Sequence, residues 1–158
     1  MNALTEPSAA PPSPAEQLTS ERHPLLLFFD GECNFCNHWV GRIRDADTAR
    51  RIRFGTKLSQ TFQRVAQAHP EVANVPSIVL VARRSDGHEE YLSRTPAIRE
   101  AIAGLPPFRL FAFVLKIFPT PVANFGYAIV ARFRRSLARR QPVSCRVPTA
   151  EERQLYVD

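Results

Sequence analysis

The sequence predicts an α/β fold whose elements follow the order β-α-β-α-β-β-α. Residues 25–29 form a continuous apolar run, typical of a strand buried on both faces. A helical pattern follows this run directly. Later, a β-prone run at 77–82 leads through Ser85-Asp86-Gly87 into a strand at 89–92. Strands that alternate with helices in this way favour right-handed crossovers wherever parallel strands are joined.

The intervening elements are bounded by capping and breaking residues. The first helix is expected to end near Asp45, and a short second strand follows at 52–55. Ser59 is placed as the N-cap of a second helix, which stops before Pro70.

The last core helix is delimited by Thr95 as N-cap, Pro96 at the first helical position and Gly104 just past the end. Residues 105–138 then predict two amphipathic helices, separated by the break Pro119-Thr120-Pro121. We expect these two helices to pack as a hairpin against the core and to cover one face of the sheet.

The length of 158 residues suits one domain with its own hydrophobic core. Residues 1–24 contain five prolines and no apolar stretch of signal-peptide length, so they predict a disordered tail. Residues 25–105 are expected to form the core, and residues 106–158 a helical extension and C-terminal segment of the same domain. Three cysteines are too few for a disulfide framework, which favours a reducing compartment and a cytoplasmic location.

The net charge of +6 comes almost wholly from arginine, and five arginines lie within residues 132–140. Nucleic-acid binding is not expected, because the nearby aromatic residues are accounted for by the apolar side of a helix. A solvated helix face explains the charge first. An acidic partner, or weak contact with an anionic membrane surface, is the second explanation.

The segment from Asp30 to Cys36 carries the chemistry. Cys33 and Cys36 lie between the end of the first predicted strand and the first turn of the helix that follows it. Unpaired backbone N–H groups and the helix dipole stabilise a thiolate at such a position. The arrangement therefore suits thiol–disulfide exchange, which needs no cofactor.

Each residue of this segment has an expected role. Cys33 is the attacking thiol, because it is nearest the helix start and is expected to be the more exposed of the pair. Cys36, one turn later on the buried side, resolves the mixed disulfide. Asp30 either takes a proton from Cys36 during resolution or caps the turn with its carboxylate, and the two roles are compatible. Gly31 serves the turn through a positive φ or a close backbone approach.

A zinc-binding structural module is the main alternative. Cys33, Cys36, Cys145 and His38 supply enough ligands for a tetrahedral site, but they include only one closely spaced pair. For Cys145, inert packing, a disulfide with the pair and a metal site all stay open. A third class, an interaction module built on the arginine-rich helix, rests on charge alone.

The element order, with Cys-x-x-Cys after the first strand, resembles the thioredoxin fold. Thioredoxin-like proteins place a cis-proline beside the cysteine pair. Val75 and Pro76 stand in the corresponding position, just ahead of the third strand. The resemblance therefore implies that Pro76 and Val75 contact the substrate.

Asp30-Gly31-Glu32-Cys33-Asn34-Phe35-Cys36 is similar to the Asp-Gly-x-Cys-x-x-Cys signature of the DCC family of thiol–disulfide oxidoreductases. The resemblance continues to about Leu155, with Val143 standing where the family pattern has an Asp. It implies exchange with a disulfide-containing protein or a small thiol, and it leaves the substrate and the reductant open.

Overall fold

The structure is a computed structural model that describes residues 19–75, 78–138 and 149–157. One five-stranded sheet has the strand order β4-β3-β1-β2-β5. β1 is parallel to β2, and β2 is parallel to β5, whereas β3 is antiparallel to both β1 and β4. The strands are β1 (Leu25–Phe29), β2 (Ile52–Thr56), β3 (Val79–Arg83), β4 (Glu89–Ser93) and β5 (Tyr156–Val157).

The helices fall in the predicted order, with two short additions, α3 and α7. A 3-10 turn at Pro106–Phe108 precedes α5. The helices are α1 (Asn34–Ala46), α2 (Gln60–Ala68), α3 (Pro70–Ala73), α4 (Arg94–Ile102), α5 (Arg109–Ile117), α6 (Thr120–Ala138) and α7 (Ala150–Arg153). This order and the strand pairing confirm the predicted thioredoxin-like α/β fold.

The central strand β1 is buried over all five residues because both faces of the sheet are covered. Leu25, Leu27 and Phe29 join a cluster with residues of α1 and α4. Leu26 and Phe28 point to the other face and join a cluster with residues of α2. The unbroken apolar run thus reflects two cores, one on each side of the strand.

The predicted start of α2 agrees with the structure, whereas the predicted start of α4 does not. Ser59 caps α2 as expected, since its Oγ accepts the Phe62 N–H at 3.1 Å. The predicted start of α4 was wrong by two residues, because α4 begins at Arg94 and its N-cap is Ser93. Arg94 has a φ of 57° and turns the chain into the helix before Thr95. The Thr95 N–H is satisfied from outside, by Asn124 Oδ1 at 3.4 Å.

Both ends of the described chain pack against the domain. Residues 19–24, assigned to the tail from sequence, begin with a buried Thr19 whose hydroxyl donates to Glu89 Oε1 at 2.9 Å. At the other end, Thr149 and Glu152 form a capping box for α7. Leu155 is buried beside β2, and β5 adds to the edge of the sheet.

As expected, α5 packs against α4, and α6 packs against α4 and α1, but the expectation that these helices bury their apolar stripes was wrong. Phe108, Ala112 and Leu115 do pack against the core. However, no residue of α5, all of which the structure describes, is buried. The two helices border a cavity, and apolar side chains on both of them remain exposed.

Candidate active site

The turn between β1 and α1 is held by hydrogen bonds from Asp30. The Asp30 carbonyl accepts the Cys33 N–H at 3.2 Å, and Asp30 Oδ1 accepts the Glu32 N–H at 3.2 Å. Asp30 therefore has the turn role expected from sequence. Its role in proton transfer stays a prediction.

Gly31 is needed for a close approach to β2. A Cβ at this position would lie 2.9 Å from Thr56 Cγ2. Its φ lies outside the left-handed region, so of the two reasons predicted for a glycine, the close approach applies. Asn37 Nδ2 also donates to the Gly31 carbonyl at 2.8 Å and ties the turn to the first turn of α1.

Cys33 and Cys36 occupy the N-cap and N3 positions of α1, and both are present as thiols. The Cys33 carbonyl accepts the Asn37 N–H at 2.9 Å, which starts the helical hydrogen bonding. The first turn, Asn34-Phe35-Cys36, carries no acidic side chain, and within the described residues the Cys33 side chain makes no cap hydrogen bond. The positive end of the helix is thus available to a thiolate at Cys33.

The relative exposure of the two thiols is the reverse of the prediction. Cys33 is 8% exposed, whereas Cys36 is only partly buried. The backbone of Cys33 is held in the turn, since its N–H donates to the Asp30 carbonyl and its carbonyl accepts the Asn37 N–H. Cys36 packs against the core on the side of α1 that borders the cavity, and this opening leaves it accessible.

The cavity has a volume of about 600 Å³ and lies between α1, α4, α5 and α6. Its wall is almost entirely hydrocarbon, and Cys36 forms part of it. The other wall residues include Phe35, Trp39, Val40, Ile78, Thr95, Ile98, Phe108, Phe111, Val114, Phe118, Val122, Tyr127 and Val130. Pockets of this size and character are typical of sites for apolar ligands.

An aromatic row joins α1 to the start of the helical extension. The Trp39 ring lies 6.2 Å from Phe35 and 6.5 Å from Phe108, between ring centroids. Trp39 is nevertheless 42% exposed, so it belongs to the cavity rim as well as to helix packing.

The residues implied as substrate contacts are only partly described. The Val75 carbonyl accepts a hydrogen bond from Lys57 Nζ, and its side chain packs against the α2 cluster. Pro76 lies outside the described residues. The chain ahead of β3 does return to the end of β1, because β3 is antiparallel with Val79 opposite Phe28. Ile78 accordingly lines the same cavity as Cys36.

The alternative zinc site gains no support from the described residues, which contain no group of three or more His, Cys, Asp or Glu suited to a metal ion. His38 is exposed, as predicted, and its ring lies edge-on to Trp39 with 6.0 Å between centroids. Cys145 lies outside the described residues.

The sheet topology and the cysteines at the N-cap and N3 positions define a thioredoxin-like protein with a Cys-x-x-Cys site. Residues 27–140 match the family described as DCC1-like thiol-disulfide oxidoreductase, and the chain belongs to this family.

Two curated relatives extend over most of the chain. A chloroplastic DCC family protein of Arabidopsis thaliana is 30% identical over 122 residues, which cover 76% of this chain and 67% of that protein. The Bacillus subtilis (strain 168) protein YuxK, described as uncharacterized, is 32% identical over 119 residues, covering 74% of this chain and 83% of YuxK. No solved structure matches the chain significantly.

Proposed function

We propose that the protein is a thiol–disulfide oxidoreductase that exchanges disulfides with a protein or small-thiol substrate through Cys33 and Cys36. The observation that carries the proposal is their position at the N-cap and N3 of α1, whose first turn is free of acidic side chains. Such a helix end stabilises the thiolate that exchange requires. A cytoplasmic location, where thiols are kept reduced, belongs to the same proposal.

The exchange proceeds in two steps. The Cys33 thiolate attacks one sulfur of the substrate disulfide, forms a Cys33–substrate disulfide and releases the other substrate sulfur as a thiolate. The Cys36 thiolate then attacks the Cys33 sulfur and releases the second substrate thiolate. The Cys33–Cys36 disulfide remains, the substrate has gained two electrons and two protons, and an external dithiol returns the pair to its reduced state.

Other residues assist these steps. Asp30 lies at the end of β1, one turn from Cys33, and we assign it the removal of the Cys36 proton during resolution. Val75 and Pro76 are assigned to substrate contact. This assignment is supported by the antiparallel β1–β3 pairing, which returns the chain ahead of β3 to the end of β1.

Trapping of mixed disulfides tests the proposal. The full chain carrying Cys145→Ser is used as background, so that only the pair reacts, and insulin serves as the model disulfide. Cys36→Ser is expected to accumulate a covalent adduct at Cys33, whereas Cys33→Ser accumulates none.

Three results would contradict the proposal. Adducts on Cys33→Ser alone would reverse the assigned roles, with Cys36 attacking from the cavity side. Equal adducts on both variants would remove the division of roles. One bound zinc per folded chain, with thiols that do not react, would favour the metal-binding alternative.

A further inference from the structure

Helices α5 and α6 are each apolar on two faces. One face of each helix lines the cavity beside Cys36. On α5, the residues Leu110, Phe113 and Ile117 follow a second helical stripe that does not line the cavity and are 76%, 60% and 63% exposed. A surface helix of a water-soluble domain needs only one apolar face, so the second stripe is unexplained by the fold.

The same pattern occurs on α6. Phe125, Ile129 and Phe133 are spaced four residues apart, lie outside the cavity wall and are 70%, 46% and 53% exposed. Neither this stripe nor the second stripe of α5 lines the cavity, and we call the two together the outer surface: Leu110, Phe113, Ile117, Phe125, Ile129 and Phe133. Six exposed large apolar side chains on two consecutive helices mark an interaction site.

The chain segment that carries the outer surface has charge of one sign. Residues 101–150 contain eight basic side chains and no acidic one, whereas the rest of the chain carries 13 basic and 15 acidic side chains. The whole net positive charge therefore comes from this segment. Among the side chains of α5 and α6 that the structure describes, the exposed basic ones are Arg109, Lys116 and Arg132.

We propose that the outer surface docks on an anionic phospholipid bilayer, with α5 and α6 lying in the interface. Within the described parts of the chain, no helix is long and apolar enough to cross a membrane. Helices that combine exposed aromatic and aliphatic residues with Lys and Arg bind instead at the boundary between head groups and acyl chains. The basic residues add attraction to the negative head groups.

The charge also argues against a second copy as the occupant. A symmetric dimer through this surface would bring Arg109, Lys116 and Arg132, which are exposed on these helices, close to their copies, and like charges facing each other oppose association. An anionic bilayer matches both the apolar area and the sign of the charge.

Docking has a consequence for the cysteine site, and this step rests on the proposed function. The neighbouring stripe of α5, with Phe111, Val114 and Phe118, lines the cavity that Cys36 also lines. A bilayer against the outer surface would place this cavity next to the lipid. The substrate class is then a disulfide held at the membrane surface.

Co-sedimentation of the full chain with vesicles tests the docking. We expect binding to vesicles that contain phosphatidylserine, much weaker binding to phosphatidylcholine alone, and loss of binding at high salt. Phe113→Gln should lower the vesicle affinity roughly tenfold, since it removes one apolar anchor. Lys116→Gln should lower it about fivefold.

Phe111→Gln is the matched control, because Phe111 is on the same helix and is 52% exposed but faces the cavity. It should bind vesicles almost as the unchanged chain does. Circular dichroism and thermal unfolding confirm that each variant is folded. Cys33→Ser should bind vesicles normally, so a failure of the redox proposal stays distinct from a failure of docking.

Three outcomes would overturn the proposal. One is the absence of sedimentation with phosphatidylserine vesicles, and another is equal loss in Phe111→Gln and Phe113→Gln. The third is a stable dimer in analytical ultracentrifugation that Phe113→Gln dissociates, which would assign the outer surface to self-association.

Discussion

Replacing Gly31 by alanine tests how closely the turn between β1 and α1 packs against β2. The added Cβ would lie 2.9 Å from Thr56 Cγ2 and 3.3 Å from Thr56 Cβ. Overpacking of this kind costs about 1–3 kcal/mol. Alanine recovers about 0.4–1 kcal/mol through the lower entropy of the unfolded chain. The net expectation is a loss of about 1–2 kcal/mol in the free energy of unfolding.

Urea denaturation measures this loss, and two variants calibrate it. Gly41→Ala in α1 is the matched control, since within the described residues the added Cβ would meet nothing within 4 Å beyond its chain neighbours and the backbone of its own helix, and it should stabilise the protein slightly. Thr56→Ser removes the methyl group that Gly31→Ala would strike. The double variant should therefore recover about 0.5 kcal/mol or more relative to additivity.

Two results would contradict the predicted close contact between Gly31 and Thr56. If Gly31→Ala is as stable as the unchanged chain, or if its effect is strictly additive with Thr56→Ser, the contact between the turn and β2 does not constrain position 31. The rate of Cys33 alkylation provides a second readout. It should change in Gly31→Ala and stay unchanged in Gly41→Ala, because only the first alters the turn that holds Cys33.

Two further predictions concern stability. Ser59→Ala should lower the free energy of unfolding by about 1 kcal/mol, because the buried hydroxyl caps α2 through the Phe62 N–H; a urea midpoint equal to that of the unchanged chain would contradict this. Arg44→Met should cost about 3 kcal/mol, because it leaves the Glu152 carboxylate buried without the guanidinium 3.5 Å away. Thermal unfolding measures the second effect, and a loss below about 0.5 kcal/mol would show that the pair contributes only as an exposed salt bridge does.

Local signals account for what the sequence predicted correctly. The five-residue apolar run gave β1 because a strand covered on both faces has no reason to alternate. Ser59 and Pro70 predicted the two ends of α2, because N-capping and helix breaking act on residues adjacent in the chain. The position of the two cysteines at the start of α1 was predictable for the same reason, since the strand, the turn and the helix are adjacent in the chain.

The features that the sequence did not predict depend on contacts between distant residues. The two residues of β5 become a strand only because β2 offers a free edge beside them. The burial of Cys33 depends on how the turn folds against the end of β1. The cavity depends on how α5 and α6 pack on α1 and α4, and amphipathic periodicity marks an apolar face without saying what covers it.

A sequence signal for the outer surface was nevertheless present. Leu110, Phe113 and Ile117 repeat at helical spacing beside the stripe that lines the cavity, so α5 is too apolar for a helix with one buried face.

Measuring the redox equilibrium of Cys33 and Cys36 is the most direct test of whether the two cysteines act together in disulfide exchange. The full chain is equilibrated in a series of glutathione buffers, quenched with acid, alkylated and analysed by peptide mass spectrometry. We predict one two-electron transition between the dithiol and a Cys33–Cys36 disulfide, with Cys145 alkylated throughout. Separate glutathione adducts on Cys33 and Cys36, with no disulfide between them at any ratio, would contradict it.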